Sequence, residues 1–536
     1  MRNNKLVAVI ILFTVMLWSC SNDKPQELNH IPENATFVFT LNPSQLLQKS
    51  GNKSITDTEF YKNISVFDSV DMDADDYAKL MEFSYIFDDP KQSGVDFSKQ
   101  FFAYGMANKN GWYTSMAVNF GIADASKFEI MLTKATKDNM DSLRFDVKEG
   151  VNYMISTKVN NSSIIAWNNE TAVIFNVTKG KKEDKYLINR VSELINQTEE
   201  GSIATNKSFV DFYENKKDIS VWLNSDFILN RIPQEYKTIV MMQLPVNTKG
   251  IEYRHYISFE NGFAEATSEL ILPDELKSLI EKFHIVKEDF DTDILKYLPN
   301  KSFINFSSAI DAHEFYRMIK YLYNERQVNV DGMESMAEAS LDVDIEKIFR
   351  SINGEVVFNI HGISLDTGAD TIENSCGNPV EFKASFIVKL DNDEVYQAVL
   401  KVFNDNKSEM VDGYYIIHDE GNPLFISMVD NVMMMTNDNA LISDFVKKKA
   451  QSPSLKDSEI AKYLNNYAMI GRVNLDFSSY DNNIQEYYAD KFSKKGKSEL
   501  FNKLTELRLE PINSYNTKVI MEFKDKKRNS LEVMFD

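Results

Sequence analysis

Cysteine is nearly missing from this chain of 536 residues, which holds only Cys20 and Cys376. Two cysteines so far apart support neither a disulfide framework nor a cysteine metal site, so the fold must be held by its cores. Cys376 has no cationic cluster beside it in sequence and reads as an inert thiol. Glycine is scarce at 19 residues, and no glycine-rich phosphate loop occurs. The six histidines, His30, His255, His284, His313, His361 and His418, form no HExxH pair or other short metal motif. No metal and no cofactor is therefore expected. Positive charge is also short: 59 Lys and Arg stand against 80 Asp and Glu, a net charge of −21. Such a surface repels nucleic acid and anionic headgroups, so nucleic acid is not an expected partner.

What the chain has is an unusual start. Arg2 and Lys5 precede Leu6–Trp18, apolar apart from Thr14. A membrane-spanning helix needs about 20 such residues, so the run is short for a permanent span and suits an export signal. It closes on Leu17-Trp18-Ser19-Cys20 instead of an alanine-type cleavage site, and no later apolar run reaches spanning length. This resembles a bacterial lipobox. The resemblance implies cleavage before Cys20, lipidation of that cysteine with fatty acyl chains such as palmitate, and a membrane partner reached through the lipid. Residues 1–19 are then a signal peptide and 20–29 a polar tether. The expected location is the outer membrane, with the protein facing the periplasm or the cell surface.

The body of the chain repeats itself. "IPENATFVFTLNPSQLL" (Ile31–Leu47) returns as "LPNKSFINFSSAI" (Leu298–Ile310). In the first, Phe37, Phe39 and Leu41 alternate with Val38 and Thr40 as a strand does, and Asn42-Pro43 open a helix. In the second, Phe303, Ile304 and Phe306 read as the strand, Ser307 and Ser308 as caps, and Phe315, Met318 and Ile319 as the helix face. Further blocks follow in the same order: Val95–Met106 with Val343–Gly354, Thr114–Ala135 with Ala384–Phe403, Val151–Asn176 with Asp412–Asn437, Asn215–Leu229 with Leu464–Tyr480, and His255–Leu272 with Thr517–Asp536. The last pair reads as two closing hairpins, Asn261-Gly262 marking the first turn. The fold class expected is α+β: two tandem copies of one domain built on antiparallel sheets with packed helices. The first copy is 30–272, the connector 273–293 and the second copy 294–536, with Leu272–Asp293 read as a helix leading into the connector.

Cys20, "IPENATFVFTLNPSQLLQKSG" behind it and the "VDF" and "SMAVNF" strand blocks together resemble an uncharacterised family of duplicated lipoproteins from Bacteroidota-type bacteria, known as a domain of unknown function. That resemblance brings no activity and no catalytic residues. It implies only the lipid site, Cys20.

No local motif carries a complete catalytic signature. "HGISLD" (His361–Asp366) lacks the closing glycine of a G-x-S-x-G elbow and reads as a strand end. "HDEGNP" (His418–Pro423) reads as a turn. "DMDADDYAKLME" (Asp71–Glu82) places carboxylates at EF-hand loop positions 1, 3, 5 and 12, but Asp76 stands where glycine is needed. It reads better as an acidic helix start than as a calcium loop. Asp68-Ser69-Val70, Asp141-Ser142-Leu143 and Asp370-Thr371-Ile372 are similar to O-glycosylation acceptors of these bacteria. "VMMMT" (Val432–Thr436) reads as a buried strand.

The function expected is a membrane-anchored cell-envelope lipoprotein, not an enzyme, with a binding or scaffold role toward another envelope protein or a glycan. The alternative is an envelope glycan or peptide hydrolase whose carboxylates pair in space and not in sequence.

Overall fold

The computed structural model describes residues 26–51, 90–107, 113–136, 142–157, 160–177, 181–225, 250–324, 343–365, 380–404, 408–418, 423–493 and 498–535, together with Gly332, Glu334, Ser335, Glu338 and Ala339. Cys20, Cys376, Asp71–Glu82 and the triplets at Asp68 and Asp370 lie outside them. The described residues fall into two compact units, 26–46 with 90–225, and 47–51 with 250–535.

The first unit is an antiparallel sheet of eight strands, in spatial order Ile219–Asn224, Ala35–Leu41, Phe101–Ala107, Tyr113–Gly121, Thr171–Val177, Ser163–Trp167, Val151–Ser156 and Leu143–Lys148. Alternation along Ala35–Leu41 buries Thr36, Val38 and Thr40 on one face and leaves Phe37, Phe39 and Leu41 half-buried on the other. Asn42 ends the strand and caps the next helix, Pro43–Lys49, its Oδ1 accepting from Gln45 N at 3.0 Å. Helix Ala125–Ala135 starts at Asp124, which accepts from Lys127 N at 3.0 Å. Phe128, Met131 and Leu132 on its inner face pack among Phe120 and Trp167. The rings of Phe128 and Trp167 meet edge to face at 5.6 Å.

The second unit is an antiparallel sheet of twelve strands. From one edge they are Glu252–Glu260, Phe263–Ile271, Asn516–Phe523, Leu504–Asn513, Met469–Asn474, Ile304–Asp311, Asn353–Leu365, Val380–Lys389, Val432–Thr436, Leu424–Val429, Tyr414–Ile417 and Ser408–Val411. Its larger core gathers Val357, Ile387, Met434 and Ile470 from the strands beneath Phe445 and Leu441 of helix Asn439–Val446. Met433 and Met434 are buried in this sheet, so the methionine run is core.

The eight strands from Met469–Asn474 to Ser408–Val411 follow the same spatial and chain order as the eight of the first unit. Small details recur as well. Glu149-Gly150 and Asp412-Gly413 make equivalent two-residue turns, with φ of 53° and 79° in one and 50° and 94° in the other. Positive φ at both positions gives the turn whose twist matches its strands. Pro32 bridges to Ser202, and Pro299 bridges to Ser454. Each serine opens a short 3-10 turn, Ile203–Thr205 or Leu455–Asp457.

Several expectations change. Ser307 and Ser308 are not caps. They lie inside strand Ile304–Asp311, which stays paired on both sides, and Asp311 caps helix Ala312–Asn324 by accepting from Glu314 N at 3.0 Å. Val343–Gly354 contains helix Ile345–Ser351, started by Asp344, where Val95–Met106 has a turn and then a strand. Thr517–Asp536 is not a hairpin. Asp525 accepts from Lys527 N and Arg528 N, which breaks the strand, and Asn529 then starts helix Ser530–Phe535. The hairpin of this half is Leu504–Asn513 with Asn516–Phe523. The hairpin Glu252–Ile271, read from sequence as the end of residues 30–272, pairs with Asn516–Phe523 inside the second unit. Of the helix expected over Leu272–Asp293, only Asp274–Glu281 forms.

Candidate functional site

The second unit holds a charged cluster built around a strand irregularity. Strands Asn353–Leu365 and Val380–Lys389 slip in register between Ile360 and Gly362. Such a bulge re-aims the side chain that sits in it, and that side chain is His361. Gly362 faces Lys383 closely: a Cβ there would lie 2.9 Å from the lysine Cβ.

Asp438 completes the cluster and has two tasks. Its Oδ1 caps helix Asn439–Val446, accepting from Ala440 N at 3.0 Å and Leu441 N at 3.4 Å. Its Oδ2 lies 3.3 Å from His361 Nε2 and 3.2 Å from Lys383 Nζ. The bond from His361 holds the Asp438 carboxyl well below the usual carboxylate range; burial opposes this and Lys383 adds to it. The His361 side chain is only 5 % exposed, and its Nδ1 has no hydrogen-bond partner among the described residues. The cluster borders an open cavity of about 440 Å³, also lined by Lys301, Asp444 and Ser452. Asp444 accepts from Lys449 Nζ at 3.1 Å and Gln451 Nε2 at 3.2 Å.

An imidazole fixed by a carboxylate is part of the machinery that activates nucleophiles. Among the described residues, however, no hydroxyl or thiol is hydrogen-bonded to His361. Charged groups around open space can still hold a polar ligand by hydrogen bonds and charge.

The other histidines do not join this cluster. His30 Nδ1 meets the Leu194 carbonyl at 3.2 Å, His255 Nδ1 meets Ser268 Oγ at 2.8 Å, and burial lowers the pKa of both. His313 lies 3.6 Å from Glu346, while His284 and His418 are exposed. Ser364 lies within the strand, as the reading of "HGISLD" expected. In that motif it is the histidine, not the serine, that joins the cluster. The available signal was a histidine beside glycine on a strand, together with the Asn-Asp pair before an amphipathic stretch at 439.

Carboxylates do meet elsewhere in the second unit. Glu506 and Glu510, on the same strand as Arg508, and Glu522, on the next strand, converge on Arg508, with Arg472 bonded to Glu506 and Lys518 3.4 Å from Glu510. Each is matched by a cation, as buried ion networks require.

Compared with curated protein sequences, the chain has no match. Two solved structures share a low likeness with it. "Structure of crystal form I of TP0453" has TM-score 0.25 and 7 % identity, covering 50 % of this chain and 90 % of that one. "Structure of crystal form III of TP0453" has TM-score 0.24 and 9 % identity, with the same coverage. Scores of this size bear on neither fold nor function. The family model described as "Domain of unknown function (DUF4836)" matches residues 28–531, nearly the whole chain, and the protein belongs to that family.

Proposed function

We propose that this protein is a lipoprotein of the cell envelope, anchored to the outer membrane through Cys20, whose two related domains act in binding and not in catalysis. The sequence Leu17–Cys20 supports the anchor. The common strand order of the two units, with matching turns at Glu149-Gly150 and Asp412-Gly413, supports descent from one duplicated domain. The binding role rests on one observation: His361, Asp438 and Lys383 are fixed by one another at an open cavity, with no nucleophile hydrogen-bonded to the imidazole among the described residues.

The test is capture of the full chain with its companions from native membranes, in parallel with Lys383→Ala. A stoichiometric envelope protein or glycan that copurifies with the wild type and is lost from the variant supports the reading. Retention by both proteins removes the cavity from the account.

A second reading, hydrolysis of an envelope glycan or peptide, draws on Asp438 and Asp444 lining one cavity. Paired glycosidase carboxylates stand about 5–10 Å apart. Cleavage of such a substrate that disappears in Asp438→Asn and Asp444→Asn would favour this reading.

A further inference from the structure

A different cleft of the second unit runs against the acidity of the whole chain. It lies beside helices Ala312–Asn324 and Ile345–Ser351 and the residues that follow helix Asp274–Glu281, and its volume is about 320 Å³. That volume is at the small end of ligand sites and suits one sugar-sized molecule. Four cations, Lys282, Arg317, Lys320 and Arg350, line it against a single lining carboxylate, Glu346.

The charges can be paired off one by one. Arg350 NH2 lies 2.5 Å from Glu346, Arg317 NH1 lies 2.5 Å from Glu314 on its own helix, and Lys320 Nζ lies 2.6 Å from Glu334. His313 also faces Glu346, at 3.6 Å. Three carboxylates thus answer three of the four cations. Lys282 is left with no carboxylate partner among the described residues. Its ammonium instead lies 4.3 Å from the centre of the Tyr321 ring and 5.6 Å from that of Phe283. Aromatic faces hold a cation but do not neutralise it.

The walls are aromatic. Phe283 is buried, and its ring centre is 6.0 Å from that of Tyr321. Tyr316, also buried, hydrogen-bonds Glu334, and burial with that bond pushes its phenol up to about 12, so the ring stays neutral. One uncompensated positive charge beside apolar ring faces matches a ligand with one negative charge and a flat, weakly polar side. A sugar ring bearing a carboxylate has both properties.

We propose that this cleft binds an acidic monosaccharide unit of the uronate type, with its carboxylate at Lys282 and its ring against Phe283 and Tyr321. The site is independent of the His361 cavity and shares no lining residue with it.

The test is calorimetric titration of the full chain in detergent with glucuronate and, separately, with glucose. Glucuronate should bind at least about tenfold more tightly than glucose, a difference of about 1.4 kcal/mol. Added salt should weaken it, because the attraction is between exposed charges. Lys282→Gln, at an exposed position, should lose about tenfold for glucuronate. Tyr321→Ala should weaken binding. Equal binding of glucose and glucuronate, no binding of glucuronate, or unchanged affinity in Lys282→Gln would each overturn the proposal.

Discussion

The guanidinium of Arg508 lies over the ring of Tyr463, 4.5 Å from its centre, and bonds Glu506, Glu510 and Glu522 at the same time. Its side chain is 8 % exposed and is shared by all three carboxylates, each of which also has a second cation: Arg472 for Glu506, Lys518 for Glu510 and Lys526 for Glu522. Arg508→Ala should cost about 1.5–3 kcal/mol, since each carboxylate keeps one cation but loses a largely buried charge-assisted bond. Arg508→Lys should be intermediate, because an ammonium cannot fork between several carboxylates. Urea unfolding of the second unit measures this, and a loss under about 1 kcal/mol for the alanine variant would contradict the network's role.

Asp438 gives a pH dependence with a defined sign. Its native carboxyl is held below the usual range by His361, with Lys383 adding to the effect. The bonds therefore contribute in full above the unfolded carboxylate value of about 4 and fade as the pH falls from there through the native value. Asp438→Asn keeps the helix cap, since asparagine caps well, and removes the charge. It should cost about 1–3 kcal/mol at neutral pH. Unfolding at pH 7 and in acid should show this cost shrinking below about pH 4. A cost that stays constant over that range would show that the charge is not what matters.

Gly94 sits at φ 74° just after the short helix Pro90–Ser93, where its backbone lies against the start of helix Ala125–Ala135. Its carbonyl accepts from Ala123 N at 2.9 Å and Asp124 N at 3.1 Å. A Cβ at Gly94 would lie 2.3 Å from the Asp124 carbonyl oxygen and 2.5 Å from Phe128 N, both of them backbone atoms. Gly94→Ala should therefore cost more than the roughly 1–2 kcal/mol of the left-handed conformation alone. Limited proteolysis should show cuts appearing first in the first unit. Unchanged resistance there would mean that the helix entry shifts freely.

The proposed lipid anchor makes the simplest prediction. Cys20→Ser removes the proposed acceptor of acyl chains, each methylene of which would contribute about 0.8 kcal/mol to membrane binding. The variant should move from the membrane fraction to the soluble fraction of the envelope. Its continued presence in the membrane would end the lipoprotein reading.

Much of the fold could be read from the chain, because alternation and turn chemistry are local. Val151–Asn176 and Asp412–Asn437, matched in sequence, each hold three strands of the main sheets, and Asp430-Asn431 turns with φ of 50° and 62°. Readings failed where a distant partner decided the outcome. Ser307 and Ser308 look like caps until Val357 and Ile470 extend their strand. The edge on which Glu252–Ile271 pairs is set by a strand near the other end of the chain. The candidate site was hidden for the same reason. His361, Lys383 and Asp438 come from three separate segments, and a register slip aims the histidine, which no spacing of residues in the sequence records.

The pairing of Phe263–Ile271 with Asn516–Phe523 also fixes an order of events. Synthesis makes the earlier strand long before the later one exists. Until the later strand is made, its amide and carbonyl groups on that side have no cognate neighbour, and bare edges of this kind recruit other chains. Closure across such a span is slow, so the nascent polypeptide needs shielding until its final hairpin is complete. A chain ending before Leu504 would keep that edge open permanently and should clump rather than merely lose a few kilocalories.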